Sequence, residues 1–198
     1  FFPLLSAGNL ATTQAVVARL RSDLREGAET SLATVGRLRD AALYIGNINR
    51  EMQARYPEEE RPAGFSPEAD FILGGQIGNA PHDLFHIYTA GNFYAPTALA
   101  PFLQIGEQKY GKPILDRIIR QDTSLETVVR CGVVSMDSTM RSNAGVGPPI
   151  ELMIYTAGSP GSHTHIVYGE DDPYLRKVRE AWAENLRLAF EQLPPISL

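Results

Sequence analysis

Five oxygen-bearing side chains fall within eight residues of the segment SMDSTMRSNAGVG: Ser135, Asp137, Ser138, Thr139 and Ser142. A carboxylate among hydroxyls can hold, orient or pass a proton, which is the raw material of general acid–base and nucleophilic catalysis. The residues before the cluster read as a helix. Leu125, Val128, Val129, Gly132, Val133 and Met136 recur at three- and four-residue spacing, as an apolar stripe does. Ser124 can cap the free amides of its first turn, and Glu126 suits that positive end. The glycines and polar residues of MDSTMRSNAGVG end the helix, and the mostly apolar run Ile150–Tyr155 then returns as a strand covered on both faces. The polar cluster is therefore expected where a buried helix stops. The competing reading of Asp137 is a helix-end carboxylate that bonds its own turn.

Other residues with chemical potential point elsewhere. His163 and His165 would share one face of a strand, as zinc-binding pairs do, with Glu170, Asp171 and Asp172 following. No cysteine completes that set, and the pair is read as a surface strand end, so no metal is expected. His82 and His86 flank a strand start and are expected to face solvent. Gly74-Gly75 lacks the glycine spacing and the lysine–serine pair of a phosphate loop, and no cofactor is expected.

Charge and composition exclude several partners. The chain of 198 residues carries a net charge of -5, and its small basic cluster from Lys109 to Lys112 offers no footprint for nucleic acid. No apolar run approaches the roughly 20 residues that cross a bilayer, so no membrane partner is expected. The one cysteine, Cys131, excludes an internal disulfide and fits a reducing cytoplasm. The opening FFPLLSAGN has neither an initiator methionine nor a charged leader. It reads as the inside of a strand, and the natural protein is expected to begin earlier.

The elements that must position these residues follow in order. A short strand from Phe1 to Ser6 and a turn at Ala7-Gly8-Asn9 lead into a helix over 11–25 that Gly27 closes. A second helix is predicted over 32–55, making a helical hairpin on a sheet. YPEEERPAGFSPEAD reads as an exposed loop. Strands are predicted over 70–77, 84–89 and 101–106, the first two as a hairpin around GNAPHD. A short helix over 114–120, the central helix and its strand, a strand over 164–168, and a final helix over 173–193 capped by Asp172 complete the chain. This order predicts one α+β domain of antiparallel sheets with helices outside.

The segments SAGNLATTQ, FILGGQI, QIGEQKYGKPILDR and SMDSTMRSN, in this order, resemble Anbu, the bacterial proteasome-related β-type subunit family. The resemblance spans nearly the whole chain apart from the proline-rich loop. It implies a four-layer αββα sandwich, two antiparallel sheets between helix layers, in a single proteasome-like domain that lacks its leading strands here. It also implies assembly with copies of itself into a ring or open spiral, and threonine-type hydrolysis of a peptide substrate. Whether an ATPase partners it stays open. In such hydrolases the hydroxyl of a first-residue threonine attacks and its own α-amine is the base. That threonine and its downstream aspartate and lysine are absent from this pattern, and are expected ahead of Phe1. If the natural chain lacks them, the resemblance implies a non-catalytic assembly subunit or binding module instead.

Four positions carry over. Gly8 corresponds to the glycine whose amide donates to the oxyanion, although alone it reads as a turn glycine before a helix. Ser6 corresponds to the floor of the specificity pocket. Asp137 corresponds to the aspartate that orients the terminal amine. Ser142 is assigned as its partner hydroxyl, with Ser138 as the alternative, because Met140 occupies the family's usual serine spacing. Glu107, after Gly106, stands where other proteasome subunits carry a serine.

Overall fold

A computed structural model describes residues 3–156 and 163–196. The chain divides into two compact units, Phe1–Gly106 with Tyr155–His163, and Glu107–Ile154 with Thr164–Leu198.

In the first unit, β1 (Leu4–Gly8), β2 (Ala69–Gly75), β3 (Asp83–Ile87) and β4 (Phe93–Tyr94) form one sheet in that order, each pair antiparallel. Register Leu4↔Leu73 and Phe71↔Ile87 puts these four apolar residues on one face, because paired residues share a face and alternate along the strand. That face meets α1 (Leu10–Glu26) and α2 (Leu38–Gln53). Val16 and Leu20 of α1, Ala41, Ile45 and Met52 of α2, and Phe71, Leu73 and Ile87 of the sheet form a single buried cluster. Burying a side chain such as Phe71 contributes roughly 1.5–3 kcal/mol. Two buried polar groups tie this core to the backbone: Thr12 Oγ1 donates to Pro67 O at 2.7 Å, and Asn49 Nδ2 to Ala69 O at 2.8 Å.

The second unit contains α3 (Lys112–Ile118), α4 (Leu125–Ser142), α5 (Pro173–Glu191) and most of the two-stranded sheet of β5 (Ile150–Tyr155) and β6 (His163–Tyr168). Among its described residues one buried cluster joins Val133, Ile150 and Leu175, with Met140, Tyr168 and Val178 packed on them, and Leu115, Ile119, Cys131 and Val134 are buried as well. Ser124 caps α4 and Asp172 caps α5, as the sequence predicts. The α+β class with two antiparallel sheets also stands as expected. No helix among the described residues is long and apolar enough to cross a membrane.

Several expectations are corrected. Residues 101–106 form no strand, and the short β4 pairs with β3 instead. Pro101 has no amide to donate, and Gly106 takes a φ of 77°, so neither end of that segment suits a ladder. Helix α2 begins at Leu38 and not at Leu32, because Ser31 and Thr34 hold a local turn. In α4 the buried face carries Cys131, Val133, Val134, Ser135, Asp137 and Thr139. Leu125 and Met136, expected inside, are 55% and 39% exposed. His86, expected to face solvent, is buried in mid-sheet between Ile72 and Tyr94. Its Nδ1 lies 2.6 Å from Tyr94 Oη and its Nε2 3.4 Å from Asp70 Oδ1.

Candidate functional site

Ser6 and Gly8 lie in the first unit. Both lie on β1, two residues apart, so they address the same face. Gly8 has a φ of 105°, and a Cβ there would stand 2.4 Å from Glu68 O. Only glycine fits this crossing. Asn9 follows as the cap of α1, its side chain accepting from Thr12 N at 3.1 Å. The Gly8 peptide thus sits at the positive end of a 17-residue helix, an environment that favours negative charge. Ser6 is exposed and pairs with Phe71.

Asp137 and Ser142 lie in the second unit, and they do not meet. Helix α4 continues to Ser142, so Asp137 lies within it rather than at its end. At about 100° per residue, five residues separate the two by roughly 140° around the helix. Asp137 is 5% exposed and turns toward α5, where its Oδ1 accepts from Arg179 Nε at 2.7 Å. A surface groove of about 460 Å³ is lined by Asp137, Met140, Arg141 and Arg179. Ser135 and Thr139 face the start of α3 instead, and a Cβ on Gly111 would lie 2.3 Å from Ser135 Oγ. Thr139 Oγ1 donates to Ser135 O at 2.8 Å, so this hydroxyl satisfies its own helix. Ser142 is exposed at the last position of α4, and Ser138 is half-buried.

The end of α4 holds a pair that sequence spacing did not assemble. Asn143, its C-terminal cap, donates from Nδ2 to Glu107 Oε2 at 3.0 Å. Glu107 Oε1 accepts from the Lys109 N–H at 2.8 Å. The Lys109 amide, followed by the Asn143 side chain, holds the Glu107 carboxyl below the usual carboxylate range. A signal was present in the sequence, since Glu107 breaks the expected serine. Its partner lies 36 residues away and could not be read from local spacing.

The remaining candidates are structural. His165 Nε2 lies 3.2 Å from Glu151 Oε2, a cross-strand contact on β5 and β6. Among the described residues no group of three or more ligand-type side chains converges. Cys131 is buried and its thiol is pushed up by burial, which suppresses the reactive thiolate.

Comparison with solved structures decides the family. Anbu (ancestral beta-subunit) from Yersinia bercovieri is 40% identical and superposes with a TM-score of 0.87, the match covering 100% of this chain and 81% of that one. The chain belongs to the Anbu family. Anbu from Hyphomicrobium sp. strain MC1 is similarly related, at 40% identity and a TM-score of 0.86, over 100% of this chain and 82% of the other. The helical assembly of the Anbu complex from Pseudomonas aeruginosa gives 39% identity and a TM-score of 0.90, over 99% and 80%. No protein-family model and no curated protein matches the chain. The Anbu relationship carries the proteasome-related β-subunit fold. The chemistry has to be argued from the residues themselves.

Proposed function

We propose that this chain is the subunit of a self-compartmentalising, threonine-type peptidase, assembled from copies of itself in the cytoplasm and acting on peptides. The observation that carries the reading is the β1–α1 junction, where Ser6 and Gly8 share a strand face at a capped helix start. In the proposed reaction a leading threonine, carried ahead of Phe1, attacks the scissile carbonyl through its hydroxyl. Its α-amine, with a pKa near 8, takes the proton and returns it to the leaving amine. Water then hydrolyses the ester. Gly8 supplies the N–H for the oxyanion, a donor worth about 3 kcal/mol of transition-state stabilisation. Ser6 forms the floor of the pocket for the side chain before the scissile bond. Asp137, tied to Arg179, fixes α4 against α5. The helical assembly of a relative supports self-association.

The occupied carboxylate of Asp137 also favours a second reading, an assembly subunit without catalysis. Steady-state turnover of short fluorogenic peptides by the assembled natural protein separates the two. Hydrolysis is expected, and assembled protein with no turnover would favour the second reading.

A further inference from the structure

We propose that Tyr94 is an activated phenol, a nucleophile that takes the acyl group of an activated ester, with His86 as its general base and Asp70 as a positioning residue. The inference lies within the first unit and does not rest on the peptidase reading. Three observations carry it. First, three neighbouring strands bring the groups together. His86 of β3 pairs in register with Ile72 of β2 and with Tyr94 of β4. Asp70 precedes Ile72 by two residues, so all three groups share one face of the sheet. It is the face turned away from Phe71, Leu73 and Ile87, which pack on α1 and α2.

Second, the surroundings decide which ring nitrogen carries the proton. The His86 side chain is 10% exposed, and its Nε2 is buried without a hydrogen bond among the described residues. What faces it is the Asp70 carboxylate, with Oδ1 3.4 Å away, an ion-pair distance rather than a hydrogen bond. A bare lone pair on Nε2 would point at an anion, so the neutral ring keeps its proton there and Nδ1 is the acceptor. Tyr94 Oη, 2.6 Å from Nδ1, is therefore the donor. Carboxylate, imidazole and hydroxyl in this order are the arrangement that activates a nucleophile.

Third, the nucleophile is open while its base is not. Tyr94 is 50% exposed on the two-residue strand β4, and His86 is buried behind it. The charge of Asp70 disfavours an anionic electrophile, which leaves a neutral ester as the substrate class. In the step itself the phenolic oxygen bonds to the acyl carbon as its proton passes to His86 Nδ1. The ester C–O bond then breaks, and the departing oxygen takes that proton, leaving O-acyl Tyr94 and an alcohol. Asp70 steadies the imidazolium formed in between.

The test incubates the full natural assembled protein with para-nitrophenyl acetate at neutral pH, and locates acetylated tyrosines over time by digestion and mass spectrometry. An unassisted phenol reacts as its phenolate, which is scarce at neutral pH, whereas general-base assistance is worth about 10²–10⁴-fold. Tyr94 is thus expected to be acetylated about a hundredfold faster than Tyr56 and Tyr110, which are 37% and 39% exposed. His86→Asn keeps an acceptor near Nδ1 for the Tyr94 hydroxyl but cannot take its proton. It should leave Tm in place while Tyr94 slows to the rate of the two other tyrosines. Asp70→Asn should slow Tyr94 about tenfold, and serves where His86→Asn does not fold. Acetylation of Tyr94 no faster than that of Tyr56 and Tyr110 would overturn the proposal without any variant. An unchanged rate in His86→Asn, or in Asp70→Asn where that serves instead, would overturn it as well, since exposure alone would then explain the labelling. Acetyl groups on the leading residue map to a different peptide and bear only on the peptidase reading.

Discussion

The two units use polar groups in opposite ways. In the first, neutral side chains bond buried backbone: Thr12 to Pro67 and Asn49 to Ala69, under a broad apolar cluster from two helices and four strands. In the second, one buried cluster among the described residues joins Val133, Ile150 and Leu175, and carboxylates accept the ties, Asp137 from Arg179 and Glu107 from Asn143. Two-stranded sheets are marginal on their own. Much apolar surface on α5 remains exposed, with Leu186 at 50% and Phe190 at 74%. The first unit is thus a scaffold whose stability comes from burial. The second holds carboxylates in place through hydrogen bonds, and its properties should respond to charge.

Substitutions can break this contrast. The largest effect belongs to the first unit: Phe71→Ala should cost about 3–5 kcal/mol, read as a lowered denaturant midpoint. A neutral outcome would mean that the cluster around α1 and α2 is not the main support. Gly8→Ala comes next, because it forces a side chain into φ 105° against Glu68 O. Strain of about 1–3 kcal/mol is expected, with loss of turnover even where the variant remains assembled. In the second unit Arg179→Ala strands a buried carboxylate and should destabilise by about 1–3 kcal/mol, an effect that Asp137→Asn in the same chain reduces. Additive losses in that double variant would show that the two groups do not act as a pair.

The smallest effect sharpens the comparison, because the first unit has charged ties too, among them one between its two helices. Asp23 of α1 accepts from Tyr44 of α2 and pairs with Arg19 at 2.9 Å. The Tyr44 hydrogen bond, followed by Arg19, lowers the Asp23 carboxyl, while burial and Asp23 push Tyr44 up to about 12. A depressed carboxylate stabilises above its unfolded pKa and loses that contribution as pH falls through the folded value. Tm should therefore drop below about pH 4, and less steeply in Tyr44→Phe. The raised phenol stabilises fully below about pH 10 and loses its contribution as pH rises toward 12. Parallel acid curves for the two proteins would remove Asp23 from the account.

What could be read from the chain follows the same division. Helices α1 and α5, the caps at Ser124 and Asp172, and the strands β2, β3 and β5 were legible because period and capping residues are local. Ser6 and Gly8 came from the motif SAGN, which is contiguous. The polar geometry of the second unit was not legible in this way. Asp137 looked like a helix end because polar residues begin there, yet Ser135 and Thr139 are satisfied against α3 and α4 itself, and the helix runs on. His86 looked exposed because it stands near the predicted start of a strand. Its partners Asp70 and Tyr94 arrive from adjacent strands. The Glu107–Asn143 bond joins a loop to a helix end, and no periodicity encodes it.

One measurement tests the central claim most directly: the intact mass of the assembled natural protein after incubation with a peptidyl epoxyketone. This electrophile forms a ring only by taking both a hydroxyl and the adjacent α-amine. The account predicts one inhibitor per subunit, attached at the leading residue, with loss of peptide turnover. Unmodified subunits in an intact assembly would contradict it.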